Sequence, residues 1–169
     1  MESDQPADTK SLFEELFRDF RGPILNYLYR LIGDASRAEE LTQDVFVKAY
    51  RALRLPTDAN HRAWLYRIAT NTAHDHLRRR KLVQWLPLLD RDVPDPTHNN
   101  PENALGEHES VQQALDQLAP KYRAPLILYS VQGYSIKEIG TMLGISEGAV
   151  KTRLYRAREA FRKVYGEES

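Results

Sequence analysis

The sequence predicts an all-α protein made of two small helical domains, a helical bundle and a helix-turn-helix unit, joined by a flexible linker. Three observations carry that expectation. Apolar residues recur at helical spacing through most of the 169 residues. No segment shows the apolar–polar alternation of a half-buried strand. Residues 83–101 break the pattern with Pro87, Pro94, Pro96, Pro101, Asp90, Asp92 and Asp95, an acidic, proline-rich stretch too long for an ordinary loop within one domain. The expected organisation is a disordered stretch at 1–10, a first domain at 11–82, a linker at 83–101 and a second domain at 102–166.

The elements follow in order. Leu12, Phe13, Leu16, Phe17 and Phe20 form a first apolar stripe. Gly22-Pro23 is expected to interrupt it, with Pro23 opening a new helix that carries Ile24, Leu25, Leu28, Leu31 and Ile32. Gly33 reads as a C-cap and Asp34 as the N-cap of a helix over about 35–53. The stripe of that helix is Ala38, Leu41, Val45, Phe46, Ala49 and Leu53. Residues 55–60, with Pro56, Asp58 and Asn60, read as a loop, and a further helix spans about 62–81. Beyond the linker, Ala104, Leu105, Val111, Leu115 and Leu118 suggest a helix opened by Pro101. A short helix over about 120–132 contains Pro125, which is expected to kink it or shift its start.

The strongest local signal lies at residues 135–158. Ser135 and Glu138 have the Ser-x-x-Glu spacing of a capping box. Ile136, Ile139 and Leu143 form a stripe, Gly140 is small where two helices must approach, and Gly144 suits a turn of positive φ. Ile145 fills the corner and Ser146 caps a second helix with inner stripe Val150, Leu154, Ala157 and Phe161. Such a hairpin places its second helix in the DNA major groove. Gly148, Lys151, Thr152, Tyr155 and Arg156 fall on the opposite face. Lys151 and Arg156 suit phosphates or guanine edges, and Thr152 and Tyr155 offer hydroxyls. Six basic residues between 146 and 163, Arg158 among them, outnumber Glu147 and Glu159. The chain is neutral overall, with Lys+Arg and Asp+Glu at 24 each, so the charge is arranged rather than in excess.

The helix at about 62–81 is expected to bury Trp64, Leu65, Ile68, Ala69 and Ala73. Its far side aligns Arg67, Asn71, His74 and Arg78 in one row. Either a solvated polar face or a second nucleic-acid surface fits that row. Composition removes several other classes. There is no cysteine, which excludes a disulfide framework or a Cys-ligated metal site. His74 and His76 do not share a helix face, so no metal is expected there. No acid–base or nucleophilic cluster stands out, and no enzyme activity, cofactor or small-molecule substrate is expected. No signal peptide or membrane-length apolar run is visible, so a cytoplasmic location is expected.

Three segments together resemble one family. Residues 34–50, Asp34-Ala-Ser-Arg-Ala-Glu-Glu-Leu-Thr-Gln-Asp-Val-Phe-Val-Lys-Ala-Tyr, resemble the core-binding signature of bacterial sigma-70-type factors. Residues 62–79 are similar to their −10 recognition helix. Leu118-Ala-Pro-Lys-Tyr-Arg-Ala-Pro-Leu, with the helix-turn-helix, is similar to their region 4. Order, spacing and length match the extracytoplasmic-function (ECF) group, which keeps only regions 2 and 4. The resemblance implies a factor that binds core RNA polymerase, recognises −35 and −10 elements, assists melting and so directs initiation. Gln43, Asp44 and Lys48 would dock on the β′ clamp helices, and the β flap is a further implied contact. Asn60, His61 and Arg62 would line a pocket for a flipped −10 base, with Arg67, Asn71, His74 and Arg78 holding adjacent DNA. Ser146, Gly148, Lys151, Thr152, Tyr155, Arg156 and Arg158 would meet the −35 duplex. An anti-sigma partner is implied as well. The alternative is a stand-alone helix-turn-helix repressor, which accounts for 135–158 but not for 34–50.

Overall fold

The computed structural model describes residues 5–53, 60–85 and 107–167. Seven α-helices and no strand are found among them: α1 (Gln5–Ile32), α2 (Ala35–Ala52), α3 (His61–Trp85), α4 (Glu107–Asp116), α5 (Pro120–Ser130), α6 (Ile136–Leu143) and α7 (Glu147–Glu167). Most of the expected linker, together with Ala104 and Leu105, lies outside the described residues, as does most of the 55–60 loop.

Local signals place the helix ends. Gly33 sits at φ +80° and donates its N–H to the Tyr29 carbonyl at 2.7 Å. Asp34 then caps α2, its carboxylate accepting the Arg37 N–H at 3.2 Å. The expected α2 stripe is buried throughout, from Ala38 to Leu53. Thr42, on the same face, is buried too and returns its hydroxyl to the Ala38 carbonyl at 2.6 Å.

Two expectations need correction at α1. Gly22-Pro23 does not divide it: one helix runs across Pro23. Leu16, Ile24, Tyr27, Leu28 and Leu31 are all buried on both sides of the proline. The missing Pro23 N–H removes one ladder bond, and burial of a continuous stripe outweighs that loss. The helix also starts at Gln5, inside the stretch expected to be disordered. Asp8 in its first turn complements the helix dipole there. Pro125 likewise lies inside α5, which begins with Pro120 in its first turn, so the start of α5 is where it was expected.

The two helical units share one core. Ile24, Tyr27, Leu28 and Leu31 of α1 belong to the same buried cluster as Leu65, Tyr66 and Ala69 of α3, Ile127 and Leu128 of α5, Ile139 and Met142 of α6 and Val150 and Leu154 of α7. The α3 helix packs on α6, and α1 packs on α4 and α5. Polar groups reinforce that seam. The buried Arg123 donates to the Leu31 carbonyl of α1, and to the Leu118 and Asp116 carbonyls at 2.8 and 3.1 Å. Gln112 donates to the Arg30 carbonyl at 3.1 Å. Both acceptors lie in the last turn of α1, where a helix runs out of backbone donors, so the second unit caps the first.

Candidate nucleic-acid interface

The helix-turn-helix forms as its sequence directs. The Ser135 N–H donates to Glu138 Oε2 at 2.8 Å, and the Glu138 N–H donates to Ser135 Oγ at 3.1 Å, completing the capping box. Those bonds, with the Arg62 guanidinium nearby, hold the Glu138 carboxyl below its ordinary pKa. Gly144 ends α6 in the left-handed region at φ +69°. Gly140 faces the turn, where a Cβ would lie 2.9 Å from the Ile145 carbonyl oxygen. Ser146 Oγ accepts the Ala149 N–H at 3.1 Å and so starts α7.

This frame fixes the orientation of α7. Val150, Leu154 and Ala157 are buried, with Phe161 packed against the same core. Ser146, Gly148, Lys151, Thr152, Tyr155 and Arg156 are exposed, and Tyr155 is 67% accessible although it is a large aromatic ring. One exposed aromatic ring among cations is a composition suited to bases as much as to phosphates. Arg156 also reaches the Tyr122 hydroxyl at 3.5 Å. Arg158 stands apart from this group. Its guanidinium lies 5.1 Å over the Tyr129 ring, beside a cleft of about 240 Å³ lined by Val111, Leu115, Leu126, Val131 and Phe161.

The α3 set is less uniform than its sequence row suggests. Asn71 and Arg78 are exposed, and Arg78 pairs with Asp75. Asn60 is exposed but caps α3, its side-chain oxygen accepting the Ala63 N–H at 3.1 Å. His61 is half-buried. Arg62 pairs with Glu138 at 2.8 Å and lies 5.0 Å over the Tyr134 ring. Arg67 donates to the Thr141 carbonyl at 2.7 Å. His74 is half-buried near the start of α5, and its Nε2 has no hydrogen-bond partner. Burial first, and then Arg78 and Arg123, lower its pKa from 6.5. The row is therefore split between an open part and a part held by the second unit.

Tyr66 explains the split. It is fully buried, although it lies outside the apolar set assigned to α3. Its hydroxyl donates to Gln132 Oε1 and receives the Tyr134 hydroxyl at 3.4 Å. Gln132 in turn donates to the Pro23 carbonyl at 2.9 Å. Its helical spacing to Ala69 and Ala73 was the available signal for this burial, while the hydroxyl's partners come from a distant part of the chain.

On α2 the exposed face holds Gln43, Asp44 and Lys48, the last donating to Thr72 Oγ1 at 3.0 Å. Val47 and Tyr50 are exposed beside them at 46% and 60%, with the Tyr50 ring edge-on to Phe13. Sequence reasoning passed over these apolar residues. Their position off the buried stripe was the available signal. Among the described residues no group of His, Asp or Glu is arranged to hold a metal ion, and no helix is long and apolar enough to cross a membrane.

A basic, aromatic recognition helix on a capped helix-turn-helix, joined to a second helical unit with its own cationic helix, defines a helical DNA-binding protein. Comparison with known proteins makes this particular. Sigma-70 region 2 matches residues 16–83, and sigma-70 region 4 matches residues 108–161. The ECF RNA polymerase sigma factor SigE of Mycolicibacterium smegmatis is 33% identical over 163 residues, covering 93% of this chain and 63% of that protein. The ECF sigma factor SigW of Bacillus subtilis is 33% identical over 166 residues, covering 89% of this chain and 87% of that protein. The fold is similar to that of the sigma factor RpoE of Bartonella quintana, solved in complex with the anti-sigma factor NepR. That likeness has a TM-score of 0.68 at 21% identity and covers 90% of this chain and 95% of that one. The chain belongs to the sigma-70 family, in its ECF group, whose members are the subunits with which RNA polymerase initiates transcription.

Proposed function

We propose that this chain is a promoter-specificity subunit whose two units divide the promoter between them, and that it acts through core polymerase rather than as an enzyme. The observation that carries the reading is the exposed face of α7. Lys151, Thr152, Tyr155 and Arg156 stand in solvent on a helix whose orientation the capping box, Gly140 and Gly144 fix. These four residues read the −35 duplex, with Ser146 and Gly148 at the N-terminal end of α7 close to phosphates. Arg158, directed toward Tyr129, contributes to the edge of that surface.

The −10 element falls to α3 and the residues that precede it. His61 and Arg62 line the base pocket, with Asn60 shaping it through its cap on α3. Arg67, Asn71, His74 and Arg78 hold the neighbouring strand. Gln43, Asp44 and Lys48 dock on the β′ clamp helices, with Val47 and Tyr50 adding apolar area to that contact. The β flap meets the second unit. An anti-sigma protein is a partner in keeping with the NepR complex of the Bartonella quintana factor.

The test is reconstitution. Core RNA polymerase supplied with this chain and fragmented genomic DNA is expected to yield discrete transcripts that core alone does not make. No promoter-dependent transcript from the complete pool overturns the reading. A stable dimer that binds duplex DNA tightly without polymerase would point instead to a repressor.

A further inference from the structure

We propose that Lys121 and Tyr122, in the first turn of α5, form a DNA-backbone clamp with Arg156 of α7. Tyr122 is the positioning residue that holds the Arg156 guanidinium, and Lys121 takes a phosphate of its own. The clamp rests on the assignment of α7 to the −35 duplex and divides its residues. Arg156 holds the sugar-phosphate backbone, and base reading falls to Lys151, Thr152 and Tyr155.

The geometry joins side chains 34 positions apart in sequence. The Tyr122 ring packs against the shared core, while its hydroxyl stands in solvent and accepts from Arg156 Nη1 at 3.5 Å. The Lys121 ammonium lies 5.0 Å over the same ring. Lys121 and Arg156 are both exposed. The hydrogen bond from Arg156, aided by the Lys121 charge, holds the Tyr122 hydroxyl below its ordinary pKa. The first turn of α5 is itself fixed. Pro120 opens it, and the buried Arg123 ties it to the Leu118 and Asp116 carbonyls at 2.8 and 3.1 Å. Tyr122 is thus an anchored ring with a solvent-facing hydroxyl.

The charge arrangement points to an anion. Two cations meet at one phenol, and neither has a carboxylate partner among the described residues. Elsewhere on α7, Arg162 pairs with Glu159 at 3.7 Å and Arg158 lies over Tyr129. A phosphate relieves the repulsion between like charges gathered in this way. The phenol takes one guanidinium N–H and leaves the others for phosphate oxygens.

Position selects the backbone over the base edges. Arg156 lies ten residues beyond Ser146, about 15 Å along the helix axis, on the side where α5 begins. A helix seated in the major groove is flanked by strand backbone at its edges. Ser146 and Gly148 lie close to phosphates at the other end of α7. Backbone contacts at both ends would fix how far the helix slides along the groove.

The test uses holoenzyme reconstituted with the full chain and a promoter fragment recovered from the genomic pool by its transcript. Filter binding at several salt concentrations gives the affinity and its salt slope. Tyr122→Phe keeps the ring and removes only the hydroxyl. It is expected to weaken binding at least threefold, and by the same factor on fragments with single −35 substitutions. In an Arg156→Ala background its effect is expected to fall below twofold, because it acts through that guanidinium. Lys121→Ala is expected to weaken binding at least threefold in both backgrounds and to reduce the salt slope by about one. Parent-like binding by Tyr122→Phe overturns the proposal, as does its full effect on top of Arg156→Ala. So does an altered −35 base preference in Tyr122→Phe, or an unchanged slope in Lys121→Ala. Circular dichroism of the free variants reports folding, and should Tyr122→Phe unfold, the slope of Lys121→Ala decides. A parent chain that yields no transcript overturns the promoter assignment itself, whereas these results with a transcribing parent overturn the clamp alone.

Discussion

The two basic helices, α7 and α3, make an instructive pair. Each carries cations and hydroxyl or amide groups at helical spacing, and each is a candidate DNA surface. In α7 the outward residues are exposed, and the cap, two glycines and stripe of the preceding fifteen residues set its start, while α5 and α4 pack on its inner face. In α3 the same kind of row is divided. Asn71 and Arg78 face solvent, Arg67 is exposed but bonded to the Thr141 carbonyl of α6, and Arg62 and His74 are half-buried against α6 and the start of α5. A polar row identifies an outer face only if no other element packs over it. What distinguishes the two helices is the sequence distance of their partners, not their composition.

The comparison can be tested first on the open helix. Lys151→Ala with Arg156→Ala is expected to lower promoter-dependent transcription on the order of 100-fold, since each lost charge contact costs about 1–3 kcal/mol. The thermal midpoint of the free protein should be unchanged. The salt dependence of holoenzyme–promoter binding should also become shallower, which filter binding at several salt concentrations measures. A large stability loss with retained transcription would reverse the roles assigned to α7.

The frame that orients α7 comes next. Gly140→Val should cost about 2–3 kcal/mol, because the new Cβ would meet a backbone carbonyl that cannot yield as a flexible side chain can. Chemical denaturation followed by circular dichroism measures it. Ser135→Ala removes one half of the capping box and should cost about 1 kcal/mol in the same assay. Gly22→Ala offers the opposite sign. A Cβ there meets nothing within 4 Å in the middle of α1, so about 0.5–1 kcal/mol of stabilisation is expected. Destabilisation by Gly22→Ala would show that the α1 crossing of Pro23 is more constrained than its open surroundings indicate.

The smallest effect probes the divided helix through pH. Burial, with Arg78 and Arg123, lowers the His74 pKa, while Asp75 and the Pro120 carbonyl oppose that shift. The folded state therefore favours neutral imidazole. Stability from this group is complete above the ordinary value of 6.5 and is lost as pH falls from there through the lowered value. His74→Gln should show a smaller drop in urea midpoint between pH 7.5 and 5.5 than the parent chain. His76, also lowered by burial, remains in both proteins and accounts for the residual slope. Equal drops in the two proteins would remove His74 from the acid response.

Much of this was legible beforehand for a physical reason. Caps, turns and stripes act within one or two helical turns, so Gly33, Asp34, Ser135, Glu138, Gly140, Gly144 and Ser146 all occur in the conformations their residue types favour. The matched segments at 16–83 and 108–161 likewise correspond to the spans from which the family resemblance was read. Proline was the misleading signal. Pro23 lowers local helix propensity, yet α1 continues because its stripe is buried on both sides. The buried Tyr66, in register with Ala69 and Ala73, and the exposed Val47 and Tyr50, off the α2 stripe, were signalled only by their place on the helix, against what their residue types suggest.

The sequence by itself determined the helices, their caps, the helix-turn-helix and the outward face of α7, because those depend on short-range hydrogen bonds and on the 3.6-residue period. Only the tertiary structure decided which α3 cations are engaged, that Arg123 and Gln112 cap α1, and that the two units share one core. Those contacts pair residues 74 to 92 positions apart, across a segment whose composition suggested separation. A solvated polar face and a polar interface use the same residue types. What separates them is the desolvated partner opposite, and that partner is supplied by the fold.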